Sequence, residues 1–417
     1  MSSIKLISKN GDFLSLLTRM EDAGHTVQAY VEGNTPIYDG LVDKVHDIAE
    51  MDIADDDMVI FDMVAGGKGA DTLKDRGIYV IGGGELNDKL ELDREFGLQF
   101  MEDHQVPIPP SITVNRIEEA REIIEKEDKR YVFKPSGNQS TDLTYVSSGQ
   151  QNMLDMLNYL EDKIPEDTTI VLQEFVEGIE MSTEGWFNGE HFILPLNSTF
   201  EEKKFMPGNL GPNTGCSGNV VWWWDEHYSQ IIYELLFKNL EESLREARYL
   251  GPLDINAIWT DNGPLVLEFT ARFGYDAIQC SSRLIDMELG QFLQELNMLT
   301  EVPVKTDEYA MGVRVSVPPY PSEGDVPKYP IDVSAAKQGM LYLSDVLMQD
   351  DKLWCAGQDG YIVCVADHGN RLNRISNRIY SEIEKLEIPQ MQYRIDIGER
   401  VERDRRAVIT ICDSLTK

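Results

Sequence analysis

The stretch whose reading decides the fold is Val266-Leu267-Glu268-Phe269-Thr270-Ala271-Arg272-Phe273-Gly274. It follows Trp259-Thr260-Asp261-Asn262-Gly263-Pro264, where an Asn-Gly pair separates two apolar runs. That pattern predicts a β-hairpin. Side chains alternate along a strand, so Val266, Glu268 and Thr270 are expected on one face and Leu267, Phe269 and Ala271 on the other. A carboxylate and a hydroxyl then leave a rigid strand on the same side. A guanidinium follows at the strand end, before a glycine. A carboxylate suits a hard cation such as Mg²⁺, and an arginine suits phosphate or carboxylate. A plain strand end with a solvated Glu and Arg has the same pattern, so the nonapeptide needs support from the rest of the chain.

Composition narrows the classes. The 417 residues are 42% hydrophobic, enough for a sizeable core and two or three domains. Lys and Arg number 38 against 73 Asp and Glu, a net charge of −35. Such a surface repels phosphate backbones, which argues against nucleic-acid and anionic-membrane partners. A cleft can still take a nucleotide where a divalent ion and a few cations set the local field. The five Cys are scattered without a CxxC pair, which points to reduced thiols, a cytoplasmic protein and no zinc site. The N-terminus lacks a basic region followed by an apolar run, so no signal peptide is expected. No apolar run approaches the roughly 18 residues that a membrane helix needs.

Along the chain, short apolar runs at 4–8, 26–31, 58–62 and 78–81 alternate with helical patterns, one of them at 13–23. This implies a parallel sheet in an α/β domain at 1–104. A helix is expected at 91–103. An α+β region at 105–300 follows, with strands at 111–114, 131–135 and 169–176, helices at 117–126 and 153–160, and a hairpin at 180–187 and 191–196. Within it, 112–180 reads as a separate lid subdomain. Residues 206–218 form a loop rich in Gly, Pro and Asn, and 228–247 a long amphipathic helix. From 301 to 417 the pattern is mostly β, with strands at 311–317, 339–343 and 360–365, a helix at 372–386 and a last strand near 408–411.

Lys134 ends a strand before a Gly/Ser/Asn loop at 136–141, a place where a cation beside backbone N–H groups can hold phosphates. The loop lacks the P-loop pattern. The runs Gly66-Gly67-Lys68-Gly69 and Gly82-Gly83-Gly84 are weak signals and read first as plain βα turns. Trp222-Trp223-Trp224 cannot all face one side of a strand, so at least one is expected to line a surface, a pocket or an interface.

Three segments together resemble one family within the ATP-grasp superfamily, phosphoribosylamine–glycine ligase, also called glycinamide ribonucleotide synthetase. They are Leu210-Gly-Pro-Asn-Thr-Gly215, Leu267-Glu-Phe-Thr-Ala-Arg-Phe-Gly274 and Val171-Leu-Gln-Glu-Phe-Val-Glu-Gly-Ile-Glu180. Weaker echoes, such as Asp359-Gly-Tyr-Ile-Val-Cys364, run to the end of the chain. The resemblance implies an ATP-grasp fold and a cytoplasmic, ADP-forming carboxylate–amine ligase of purine biosynthesis, a monomer or homodimer. It implies ATP with Mg²⁺ or Mn²⁺, an amino acid such as glycine, and an amine acceptor such as phosphoribosylamine. By the same resemblance, Arg94 and Lys134 contact ATP phosphates. Gln173, Glu174 and Val176 frame the adenine, and Glu180 holds the ribose. Glu268 binds the metal, with Thr270 at the position that shares it; because Thr270 offers only a neutral oxygen, Asp254 on the preceding strand is expected, apart from the resemblance, to supply a carboxylate. Arg272 steadies the transferred phosphoryl group, and the 211–215 loop, with Asn213, lies over the substrates.

The departures are specific. Thr270 stands where the family has Asn. Ser136-Gly-Asn-Gln-Ser-Thr141 replaces an Ala-Gly-Lys-Gly lid sequence. Ser8-Lys-Asn-Gly-Asp12 replaces a Gly-Asn-Gly-Gly-Arg-Glu-His motif, and Asp62-Met-Val-Ala-Gly-Gly67 lacks the family's Gly-Pro-Glu. Two alternatives follow: the same chemistry on another amine, or a nucleotide-binding relative without catalysis.

Overall fold

The structure, a computed structural model, describes residues 3–127, 129–135, 143–165 and 168–416; the lid sequence expected at 136–141 lies outside the described residues. Strands β1 (Ser3–Ser8), β2 (Thr26–Val31), β3 (Lys44–Val45), β4 (Met58–Phe61) and β5 (Tyr79–Ile81) form a parallel sheet ordered β3-β2-β1-β4-β5. Met58 to Phe61 are buried without alternation, as expected where helices cover both faces of a parallel sheet. Strand order reverses between β1 and β4, which leaves a crevice at their carboxyl ends. The two glycine runs meet behind it. A Cβ on Gly67 would sit 2.3 Å from the Gly84 carbonyl oxygen, so these turns need glycine for close backbone packing.

Strands β6 (Ser111–Val114), β7 (Tyr131–Pro135), β8 (Tyr145–Val146) and β9 (Ile170–Glu174) form an antiparallel sheet ordered β6-β9-β7-β8. Helices Ile117–Lys126 and Gln150–Leu160 cover it. Its core, which includes Ile124, Phe133, Leu157 and Leu172, is separate from the main one.

The main sheet is built from β10 (Ile179–Phe187), β11 (Phe192–Glu201) and β14 (Gly218–Trp223), with β15 (Gly251–Thr260), β16 (Gly263–Thr270), β17 (Tyr309–Ser316), β18 (Leu341–Leu343) and β21 (Tyr361–Gly369). Its order is β16-β15-β10-β11-β14-β17-β21-β18, so strands from before and after residue 300 share one sheet. Two small hairpins stand apart from it: β12 (Lys204–Met206) with β13 (Leu210–Asn213), and β19 (Val346–Gln349) with β20 (Lys352–Cys355).

Several expectations are corrected. The last strand near 408–411 is part of a helix, Val401–Leu415. Its buried residues Val401, Asp404, Val408, Ile411 and Cys412 fall at helical spacing, which outweighs the β-branched pair. The helix expected at 91–103 breaks at Asp93, whose carboxylate caps Arg94–Asp103 by accepting from the Phe96 N–H at 3.0 Å. The long helix at 228–247 is two, Glu226–Leu236 and Glu241–Glu246. The 206–218 loop contains most of the β12–β13 hairpin. All three tryptophans are buried, none on a surface. β14 lies inside the sheet between β11 and β17, so both its faces are covered. Trp222 packs at 5.0 Å on Phe200, Trp224 donates to Ser198 Oγ at 2.8 Å, and the Arg405 guanidinium lies over both rings.

The decisive hairpin forms, with one change. β15 pairs with β16 in register up to Asn256↔Glu268 and again from Ala257↔Val266, so Leu267 is an extra, bulged residue. Val266 therefore shares the buried face with Phe269 and not the face of Glu268 and Thr270. The bulge lets one strand bury Val266 and Phe269 while turning Glu268 to the cleft.

Candidate active site

The cleft lies between the four-stranded sheet and the edge of the main sheet. Glu268 is exposed on β16, and its cross-strand neighbour is Asn256. Asn256 Nδ2 donates to Glu180 Oε1 at 3.1 Å, and Lys203 Nζ donates to the same oxygen at 2.8 Å. Glu180 is held below the usual carboxylate range: burial opposes this, but Lys203 and Asn256 outweigh it. From the facing sheet, Lys134 Nζ donates to Gln173 Oε1 at 2.8 Å. Burial lowers the Lys134 pKa to about 8, opposed by Glu268 and Glu180 and assisted by Arg94 and Lys203. These mutual influences place Arg94, Lys134, Glu180 and Glu268 around one space. Charges of both signs face a cleft that the chain's net charge alone would make strongly negative.

Glu174 is tied to Lys129, and its N–H donates to the Pro110 carbonyl at 2.8 Å. Val176 follows the strand in irregular chain, where backbone groups can face a ligand edge. Gln173 is buried beneath Lys134. The structure therefore assembles these three as a hinge between the two sheets, with the Glu174 side chain pointing to its lysine.

At the end of β16, Glu91 fixes both the backbone and the arginine. It accepts from the Ala271 N–H at 3.0 Å and from Arg272 Nε at 2.9 Å. Burial works against the Arg272 charge, but Glu91, Tyr275 and Asp12 outweigh it and raise its pKa. Arg272 Nη1 also donates to the Phe273 carbonyl, which leaves Nη2 to point elsewhere. Asn213 is exposed on β13 opposite Lys204. Its hairpin is rooted beside Lys203, whose carbonyl accepts from Thr214 N and Oγ1.

The donor set fits a hard divalent cation in part. Asp254 lies opposite Thr270, is 8% exposed, and has Oδ1 buried without a partner among the described residues. Burial, then Glu201 and Glu184, push its pKa well up. Among the described residues no three His, Cys, Asp or Glu gather as a closed metal cage. One or two carboxylates plus substrate phosphates is the manner in which Mg²⁺ is bound. Glu268 with Asp254, flanked by the Thr270 hydroxyl, offers that. All five cysteines are buried free thiols.

Sequence reading missed Lys203, Asn256 and Glu91. Their only signals are position: a lysine just past β11, an amide across from Glu268, and an acid on Glu85–Leu92 that becomes a neighbour only through the fold. It also missed Arg314, which donates to both Asp276 oxygens at 3.1 and 3.2 Å beside Tyr361.

Known proteins share this sequence pattern and fold. Residues 92–277 match the family model described as phosphoribosylglycinamide synthetase, ATP-grasp (A) domain. A phosphoribosylamine–glycine ligase of Listeria monocytogenes is 26% identical over 347 residues, covering 80% of this chain and 81% of that one. One of Streptococcus suis is 26% identical over 380 residues, covering 86% and 85%. Among solved structures, phosphoribosylamine–glycine ligase of Thermotoga maritima superposes with a TM-score of 0.76 at 21% identity, over 95% of this chain and 100% of that one. A biotin carboxylase of Campylobacter jejuni shares the fold at 12% identity and a TM-score of 0.64, over 94% and 92%. The chain is an ATP-grasp protein, an ATP-dependent ligase of the kind that forms C–N bonds. Within that class it resembles phosphoribosylamine–glycine ligase.

Proposed function

We propose that this protein activates the carboxylate of a small amino acid, glycine first among them, as an acyl phosphate and passes the acyl group to an amine. The observation that carries this reading is the Glu91–Arg272 pair at the end of the strand that also presents Glu268. In this reading the guanidinium steadies the phosphoryl group as it passes from ATP to its acceptor. In the first step a carboxylate oxygen attacks the γ-phosphorus and the bond to ADP breaks. In the second, the amine nitrogen attacks the acyl carbon, the C–O bond to phosphate breaks, and the nitrogen gives up a proton. Arg94, Lys134 and Lys203 hold the phosphates and Glu180 the ribose. The hinge at Gln173, Glu174 and Val176 receives the base, and Asn213 on its hairpin closes over the substrates. Glu268 and Asp254, with Thr270 beside them, would hold Mg²⁺ or Mn²⁺, which supplies charge neutralisation at the transferred group. Catalysis is positioning and electrostatics, as for phosphoryl transfer generally.

The relatives' names make glycine and phosphoribosylamine, the pair that would place the protein in purine biosynthesis, the first substrates to test. The experiment is ADP release over an amino-acid panel, with and without amines. Release that needs both an amino acid and an amine supports the reading. Tight ATP binding without turnover on any pair would replace it with the inactive nucleotide-binding alternative.

A further inference from the structure

The crevice of the parallel sheet opens onto the transfer site. β1 ends at Ser8 and β4 at Phe61, on either side of the reversal in strand order, where open α/β sheets take ligands. The loop after β1 carries Asp12. Phe13, the next residue, packs its ring 4.7 Å from that of Phe273, the residue after Arg272. Asp12 thus lies within electrostatic reach of Arg272 and Arg314.

Neither guanidinium is left for an acceptor's phosphate, since the one free nitrogen of Arg272, Nη2, serves the transferred phosphoryl group in the reading above. Arg272 is held by Glu91, and Arg314 donates to both oxygens of Asp276 and to Tyr320 Oη at 3.0 Å. Asp62, just past β4, accepts from Ser8 Oγ at 2.8 Å and from the Phe13 N–H at 3.1 Å, and its carbonyl accepts from Tyr275. Asp359 lies within reach of Asp12 and Arg314. Lys9 of the same loop is exposed to solvent. Among the described residues named here, the charge not taken up by such a partner is the Asp12 carboxylate.

A second observation comes from Gln279, which is 3% exposed. Its Nε2 donates to the Asp12 carbonyl at 3.3 Å. A carbonyl only accepts, so the amide's orientation is set, and Oε1 is left buried with no partner among the described residues. Beside Asp12, then, stands an acceptor that lacks a donor.

We propose that this crevice holds the amine acceptor by its N–H or O–H donors, that Asp12 and Gln279 set its specificity, and that the end lodged there carries no phosphoryl group. This rests on the ligase reading above. A phosphate dianion is held by free cations or converging backbone N–H groups. Here it would meet a carboxylate and an amide oxygen, whereas an ammonium or a hydroxyl finds a partner in each.

The test compares three acceptors on the full chain with ATP, Mg²⁺ and the donor amino acid. Hydroxylamine needs no side pocket and reports acyl phosphate alone. A short diamine and phosphoribosylamine report the crevice. The expected result is a kcat/KM about tenfold or more higher for the diamine than for phosphoribosylamine. Asp12→Asn and Gln279→Met should each raise the diamine KM by about tenfold, with a smaller change in kcat. Asp12→Arg should shift the preference toward phosphoribosylamine. Preference for phosphoribosylamine by the unaltered protein, or an unchanged diamine KM in folded Asp12→Asn and Gln279→Met, would overturn the inference while leaving the ligase reading intact. Absence of hydroxamate with every amino acid would overturn the ligase reading, and this inference with it.

Discussion

At the scale of single residues, charge is arranged by pairing more than by number. Glu91 orients Arg272 by bonding its Nε and the strand backbone together. Arg272→Ala should lower kcat by a factor on the order of 10²–10³ while leaving the ATP Kd within about threefold, measured by steady-state kinetics and calorimetry. A Kd that collapses together with kcat would place Arg272 in nucleotide binding instead. Lys134, at about 8, loses its charge as pH rises through that value. The ATP KM should therefore climb above about pH 8 in the unaltered protein and stay flat with pH in Lys134→Met. Glu184 is different in kind. It is buried, accepts from Asn197 Nδ2 at 2.8 Å, and burial pushes its pKa from 4.5 up to about 7. The folded state keeps that proton to about pH 7, while the unfolded chain releases it near 4.5, so stability falls as pH rises between those values. The cost reaches about 3 kcal/mol by pH 8. Glu184→Gln should melt higher than the unaltered chain at pH 8 and close to it at pH 4; equal shifts at both would show that Glu184 is not the group responsible.

At the scale of elements, the sequence pattern predicts strands and helices well and faces less well. The hairpin at Asn262-Gly263, the parallel strands and the three segments shared with ligases were all legible, because turn chemistry and period-two alternation are local signals. The Leu267 bulge was not. A one-residue insertion changes no residue type; it shows only when β15 pairs beside it. The tryptophan triplet misled for a related reason: whether one or both faces of β14 are covered depends on β11 and β17, which are distant in sequence. Val408 and Ile411 look like a strand until Val401 and Asp404 are counted with them. Arg94, Lys134, Glu180 and Glu268 were named from motifs, whereas Lys203 and Glu91 enter the cleft only through tertiary contacts. The bulge can be tested directly. Val266 and Glu268 pair with consecutive residues of β15, so deleting Leu267 leaves plain alternation with Val266 still buried and Glu268 still in the cleft. The deletion variant should keep measurable activity and lose no more than about 2 kcal/mol of stability. Loss of all activity in a folded deletion variant would show that Leu267 does more than fill a bulge.

At the scale of the whole molecule, a net charge of −35 must coexist with a site for a polyanionic substrate. The fold does this by gathering Arg94, Lys134 and Lys203 at the seam between two sheets, where they offset Glu180 and Glu268, and by holding Arg272 at the end of β16. Self-repulsion remains, and it is screened by salt. Raising NaCl from about 0.1 to about 1 M should lift the melting temperature by several degrees, on the order of 5 °C. A melting temperature independent of salt would mean that the surface charges are locally balanced. The central claim is that a carboxylate takes the γ-phosphoryl group before the amine arrives. The most direct measurement is oxygen transfer: both carboxylate oxygens of the amino acid that supports turnover are labelled with ¹⁸O, and the released phosphate is weighed by mass spectrometry. An acyl-phosphate path leaves one labelled oxygen in every phosphate; phosphate without label would contradict the account.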